Sequence, residues 1–254
     1  MIAEPAGSWI SADWDAPGNV VALTTSRAGG ISTGNFSSLN LAFHVGDDPD
    51  HVKKNGELLQ RSLAEQVDFQ WLQQSHGARV VQAGRSGVPQ PADAAFTSET
   101  GLACCVLTAD CLPVFLTNKS GDAVALAHAG WRGLAAGILE RTIAQFPASP
   151  AEVIAWLGPA IGPCHFQVGN DVKQAILDVN DSDLMKQLSV CFVDDSEAGK
   201  YRADLYQIAT VKLQSLGVEV SGGGLCTYCD AASFYSFRRQ ENTGRMASLI
   251  YLKS

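Results

Sequence analysis

Six short runs of apolar and β-branched residues punctuate the chain: 19–26 (NVVALTTS), 78–84 (ARVVQAG), 102–108 (LACCVLT), 112–118 (LPVFLTN), 122–128 (DAVALAH) and 152–158 (EVIAWLG). Several have no polar residue at alternate positions, so they predict strands covered on both faces rather than half-exposed ones. The period changes at 131–146 (WRGLAAGILERTIAQF). There Leu134, Ile138, Leu139, Ile143 and Phe146 fall at three- and four-residue spacings and predict one amphipathic helix. Strand, helix and strand over 122–158 make a βαβ unit. Further helices are predicted at 170–179 and 203–217, the second stopped by Gly217, followed by a strand pair at 232–239 (ASFYSFRR) and 245–252 (RMASLIYL). The expected class is α/β or α+β, a single domain over 1–254 with mixed sheets flanked by helices.

Composition narrows the functions open to this fold. With 254 residues, 46% hydrophobic and 17% charged, the chain can bury a large core, and no low-complexity tract divides it. A formal net charge of −8 without a Lys/Arg block argues against a nucleic-acid backbone as partner. No run reaches the roughly 20 apolar residues of a membrane span, and the opening MIAEPAGSWI lacks the basic start and apolar stretch of a secretory leader. Seven cysteines, an odd number, are then expected to be reduced thiols of a cytoplasmic protein acting on a small molecule.

Five histidines limit any imidazole chemistry to His44, His51, His76, His128 and His165. His76 precedes Gly77 just before a strand, and Cys111 lies at the break between two strands, with Pro113 limiting pairing beside it. His128 ends a strand and leads through Gly130 into a helix, whose start offers free N–H groups to an anion. Two imidazoles and a thiolate from three segments suit a catalytic zinc with an open position. A Cys111 nucleophile with His128 as base fits the same residues, and each of the three taken singly is more often a packed or satisfied side chain. Cys226 and Cys229 share C-x-x-C spacing, but no second pair lies near them in sequence, so they read as packed or incidental loop thiols. Cys104, Cys105, Cys164 and Cys191 read as core or loop residues. Arg27, beside Gly29 and Gly30, and Arg238, Arg239 and Arg245 around Gly244 are either anion clamps or solvated turns. The segment 158–169 (GPAIGPCHFQVG) reads as a rigid loop.

Taken together and in order, SRAGGIS, SLNLAFHVGDDP, SHG, TADCLPV, HAGWRG, GPAIGP, ADL, CTYC, SFRR and TGR resemble the YfiH family of laccase-domain proteins across almost the whole chain. The resemblance implies a fold similar to that of the cytotoxic-necrotizing-factor catalytic domain, with His76, Cys111 and His128 as zinc ligands. It also implies phosphorolysis of adenosine, inosine and methylthioadenosine and deamination of adenosine; oxidation of polyphenols and peptidoglycan editing are other activities attached to the family. Two positions depart from the family pattern: Gln167 stands where an acidic residue is usual, and Gly56 follows Asn55 where an arginine is usual.

The oxidase activity is checked by counting. A multicopper oxidase needs on the order of ten imidazoles for its blue and trinuclear sites, and this chain has five. One His/Cys/His site would still bind Cu(II) in vitro, because Cu(II) outranks Zn in intrinsic affinity. For deamination, a zinc-activated water would attack the purine, with Asp110 as a conceivable proton carrier. For phosphorolysis, phosphate would be held by the helix start after His128 and by Arg27 and Arg245. The rivals are an amide hydrolase acting on a cell-wall precursor through Cys111, and a non-enzymatic metal-binding or partner-binding protein.

Overall fold

The computed structural model describes residues 9–254. Most of the stretch on which the leader reading rests lies outside the described residues. Two sheets stacked face to face make the centre of a mixed α/β domain. One has five strands in the order Ile10–Ser11, Val20–Thr24, Met246–Leu252, Leu102–Thr108 and Asp68–Gln70. The other has six, in the order Glu219–Gly222, Val153–Leu157, Leu112–Asn118, Val124–Ala129, Ala94–Thr97 and Val80–Gln82. All seven residues of Leu112–Asn118 are buried, as the missing polar alternation predicts.

Alternation along each strand sorts the core into layers. Ala22, Cys104, Val106 and Ile250 of the first sheet meet Phe115, Leu126 and Trp156 of the second. Leu112, Val114 and Leu116 point the other way, toward the helices. The outer face of the first sheet, with Leu23, Ala103, Cys105 and Leu249, is covered by Leu39, Leu41 and Leu59. Each fully buried side chain of this size contributes about 1.5–3 kcal/mol.

Among the described residues, six α-helices flank the sheets: α1 (Pro49–Ser62), α2 (Trp131–Ala135), α3 (Ile138–Ile143), α4 (Asn170–Leu177), α5 (Ser182–Ser189) and α6 (Leu205–Ser215). The expected βαβ unit is present. Val124–Ala129 and Val153–Leu157 both run antiparallel to Leu112–Asn118, which lies between them, so they are parallel to each other. The single helix expected over 131–146 is instead α2 and α3. Gly137 separates them in the left-handed region at φ 82°, a conformation in which glycine bears no Cβ penalty. The helices expected at 170–179 and 203–217 are α4 and α6, and Gly217 follows α6 with φ 87°.

The strand pair expected near the end of the chain does not form. Met246–Leu252 is a strand, but it lies between Val20–Thr24 and Leu102–Thr108. Residues 232–239 form turns, with Phe234 and Tyr235 buried. The Tyr235 N–H faces Met246 Sδ at 3.1 Å and the Arg238 N–H meets Asp110, so those donors are used without a ladder. Helices α1 and α5 were not expected. Asp48 caps α1 by accepting the Asp50 N–H at 2.8 Å, with Pro49 at its first position.

Candidate metal centre

Three neighbouring strands of the six-stranded sheet bring their ends together. Asp93 directly precedes Ala94–Thr97, His128 is the penultimate residue of Val124–Ala129, and Cys111 directly precedes Leu112–Asn118. The register sets Ala127 opposite Ala94 and Ala129 opposite Leu112. His76 reaches the same place from the turn before Val80–Gln82. The ligand atoms of His76, Cys111 and His128 all lie within 4.8 Å of one another. The two imidazoles meet edge to face with centroids 4.8 Å apart.

A buried carboxylate absent from the sequence reading organises this group. Asp93 is fully buried. Its Oδ1 accepts the His76 N–H at 2.8 Å and faces His128 Nδ1 at 2.9 Å, while its Oδ2 accepts the Gly77 N–H at 2.8 Å. The Ser75 N–H and hydroxyl also point at Oδ2, both at 3.2 Å. One side chain thus holds the His76 turn, whose backbone sits at φ 62°, and orients His128 so that its Nε2 is free to ligate. Burial opposes the charge on Asp93, but the His128 hydrogen bond and the Gly77 and Ser75 N–H groups overcome it and hold the carboxyl at about 2.

Cys111 and His128 are coupled in the same way. Burial disfavours both charged forms. Even so, the two imidazoles bring the Cys111 thiol below its ordinary range, and the thiolate and Asp93 raise His128. Gly130 closes the cradle: a Cβ there would stand 2.9 Å from Cys111 Sγ and 3.4 Å from His76 Cδ2. Convergent N, S and N donors, a carboxylate on the far nitrogen of one imidazole and a glycine wall fit a bound zinc or copper ion.

The other expected site residues divide. Asp110 adopts φ 91°, a left-handed conformation rare for a residue with a Cβ. Its carboxylate accepts the Thr227 hydroxyl and the Arg238 N–H, each at 2.6 Å. Those bonds fix the turn that presents Cys111. Arg245 is largely buried, and it lies close enough to Cys111 and Asp110 for their charges to act on it; its Nη1 donates to the Thr243 and Gly244 carbonyls. Arg27 stacks over Tyr235 at 4.8 Å and donates to the Ser37 and Ala231 carbonyls. Arg238 and Arg239 are tied to backbone carbonyls, Arg238 to Gln167 and Arg239 to Thr227, Tyr228 and Phe234. The start of α2, expected as an anion site, belongs to a helix of only five residues and carries little dipole.

Neither departure is a hydrogen-bond partner of His76, Cys111, His128 or Asp93. Gly56 lies on α1, where an added Cβ would meet nothing within 4 Å. Gln167 lies in Gln167–Gly169, facing Glu197. Cys226 and Cys229, read as packed or incidental, are half-buried and exposed respectively, and His165 joins them with ligand atoms within 4.8 Å. The signal was divided between CTYC and the histidine of GPCHF, which only folding brings together.

A stacked α/β sandwich with a His/Cys/His cluster at its strand ends defines the class. The chain belongs to the family described as multi-copper polyphenol oxidoreductase laccase, whose model matches residues 21–253. A Pseudomonas aeruginosa protein named purine nucleoside phosphorylase is 45% identical, over 97% of this chain and 99% of its own length. The Escherichia coli protein named purine nucleoside phosphorylase YfiH is 43% identical, over 96% of this chain and 98% of its own. Among solved structures, Neisseria meningitidis protein NMB0706 superposes with a TM-score of 0.90 at 44% identity, covering 97% of this chain and 99% of that one. Geobacillus stearothermophilus YlmD gives 0.86 at 30% identity, covering 100% and 99%.

Proposed function

We propose that this protein is a zinc-dependent purine nucleoside enzyme that phosphorolyses adenosine, inosine and methylthioadenosine and deaminates adenosine. The observation that carries this reading is the Asp93-organised convergence of His76, Cys111 and His128, in a chain whose relatives are named purine nucleoside phosphorylases. His76, Cys111 and His128 would hold the metal. When bound, zinc supplies a Lewis acid and activates water at neutral pH.

The chain's own residues do the rest. Asp93 keeps His128 in the tautomer that presents Nε2. Asp110 positions Cys111 through its bonds to Thr227 and Arg238, rather than carrying a proton. Arg245, beside Cys111, is the cation best placed to face phosphate, and Arg27 serves further out on the same wall through Tyr235 and Gly244, which pack together. Phe237 is 49% exposed beside Arg245, its ring 5.8 Å from the guanidinium, and offers an aromatic face to a purine. Five histidines cannot supply a blue copper site and a trinuclear cluster, so laccase chemistry of that kind is not the reading for this chain.

A second reading follows from one observation: Asp93, His128 and Cys111 also line up as orienter, base and thiol, the order of a cysteine hydrolase. Incubation with adenosine, with and without phosphate, separates the two. Phosphate-dependent adenine release together with inosine formation supports the nucleoside enzyme; neither product would sink it. Alkylation of Cys111 only after chelation supports a ligand, whereas alkylation without chelator supports a nucleophile.

A further inference from the structure

The loop after Val153–Leu157 and the turn at 225–230 run edge to edge. Ala160 and Cys226 form an isolated parallel bridge. The Thr227 N–H donates to the Ala160 carbonyl at 3.0 Å, and the Gly162 N–H donates to Cys226 Sγ at 3.2 Å. This juxtaposition carries His165 to the C-x-x-C pair, 64 positions from Cys229, with His165 Nδ1 3.4 Å from Cys229 Sγ. A tetrahedral zinc with bonds of about 2.3 Å to sulfur and 2.0–2.1 Å to nitrogen sets a sulfur and a nitrogen about 3.5 Å apart and two sulfurs about 3.8 Å apart. The observed 3.4 Å, which a thiol–imidazole hydrogen bond also spans, already sets these two donors at the separation one ion requires.

We propose that His165, Cys226 and Cys229 form a second metal site, for zinc or another thiophilic divalent cation, separate from His76, Cys111 and His128. The surroundings are arranged for it. The His165 ring stacks on Tyr228, the residue next to Cys229, with centroids 4.0 Å apart and an interplanar angle of 15°, which fixes the imidazole plane. Gly162 brings a backbone donor up to the Cys226 sulfur, and a Cβ there would press on that sulfur at 3.2 Å. Backbone N–H groups directed at a thiolate favour its ionised, ligating form. Cys229 is exposed, and Cys164, also exposed, lies close enough for its charge to act on it, so water or that thiol can complete the shell. Binding a dication ionises both thiols and releases their protons to solvent.

The position of this site gives it a task. Thr227 lies inside the C-x-x-C turn, and its hydroxyl is the one that donates to Asp110 at 2.6 Å. An ion held by Cys226 and Cys229 therefore clamps the turn that holds Asp110, and Asp110 sets the backbone before Cys111. The second site is a structural clamp behind the first.

Metal analysis of the full chain, purified under reducing conditions without added metal, tests this. The wild type should carry about two zinc ions per chain, and Cys111→Ala and the double variant Cys226→Ser/Cys229→Ser about one each. A wild type with one zinc, lost in Cys111→Ala and kept in the double variant, would overturn the proposal, as would a Cys226–Cys229 disulfide in the freshly purified protein. The wild type alone supplies a further readout that does not depend on how a variant folds. Iodoacetamide should label the exposed Cys229 slowly before chelation and quickly after it; rapid labelling from the outset would overturn the site. Because none of these readouts is turnover, they stand or fall apart from the nucleoside activity.

Discussion

Two clusters in this molecule use the same donor types and differ in how they are embedded. Cys111 and His128 stand at the ends of paired strands and His76 on a turn pinned to them, around a carboxylate with no solvent exposure. His165, Cys226 and Cys229 stand on two loops joined by one bridge, with Tyr228 stacked on the imidazole and, among the described residues, no carboxylate bonded to the ring or the thiols. Buried carboxylate bonds hold left-handed residues in place beside the first cluster, Asp93 fixing the His76 turn at φ 62° and the Thr227 and Arg238 donors fixing Asp110 at φ 91°. The loop cluster contains no such residue. A site meant to hold a reacting geometry is thus built on the sheet, and a site meant to pin a turn is built on the turn itself.

The comparison breaks most sharply at the cysteines. Cys111→Ala should reduce phosphate-dependent base release by about 1,000-fold or more, the rate equivalent of the several kcal/mol a metal Lewis acid supplies. Cys229→Ser should cost far less turnover and act mainly by lowering the thermal midpoint. Equal losses of turnover in the two variants would erase the distinction.

Asp93→Asn comes next. It should weaken metal at the strand-end centre by about 10–100-fold, as orienting partners of ligands do, and leave the loop site untouched. The same substitution changes the acid limb of stability in metal-free protein. Asp93 titrates at about 2 when folded against an ordinary 3.8, so its contribution is present above about 3.8 and is lost as pH falls toward about 2. Acid unfolding followed by circular dichroism should show that limb in the wild type and lack it in Asp93→Asn.

Smaller effects come from the glycines. Gly130→Ala places a Cβ 2.9 Å from Cys111 Sγ and should lower metal affinity at the first site only, by about tenfold. Gly162→Ala presses on Cys226 at 3.2 Å and should lower affinity chiefly at the second, with a smaller effect passed to the first through Thr227 and Asp110. Competition with a chromophoric chelator reads both, and a crossed effect as large as the direct one would contradict the separation. Gly56→Ala touches neither cluster. In the interior of α1, with open space around the new Cβ, it should stabilise the fold by about 0.5–1 kcal/mol without altering turnover, as denaturant titration and a rate assay would show.

The sequence revealed the sheets better than the connections between them. Continuous apolar runs such as 102–108 and 112–118 can be satisfied only by burial on both faces, which is why those strands were readable. Helix α1 was hidden because its buried stripe is thin: Val52, Asn55 and Leu59 among charged residues, with Asn55 buried for its hydrogen bonds to Ser32, Asn40 and Ile31. The aromatic run at 232–239 looked like a strand because Phe and Tyr favour sheets, yet tertiary bonds from Asp110 and Met246 captured its donors.

The candidate site was legible only in part. His76, Cys111 and His128 were singled out by scarcity and by resemblance, and the structure brings all three together. Asp93 is one acid among 26 Asp and Glu residues, with nothing local to mark it. Its importance comes from being buried opposite His128, 35 positions away. The tie between His165 and the C-x-x-C pair is likewise a matter of tertiary contact, which no spacing rule could reveal.

One measurement bears most directly on the account: phosphate-dependent adenine release from adenosine by the wild type before chelation, after it, and after zinc is returned, with zinc counted at each stage. Activity that disappears with the metal and returns with it is the predicted result; undiminished release from protein stripped of zinc would contradict the account.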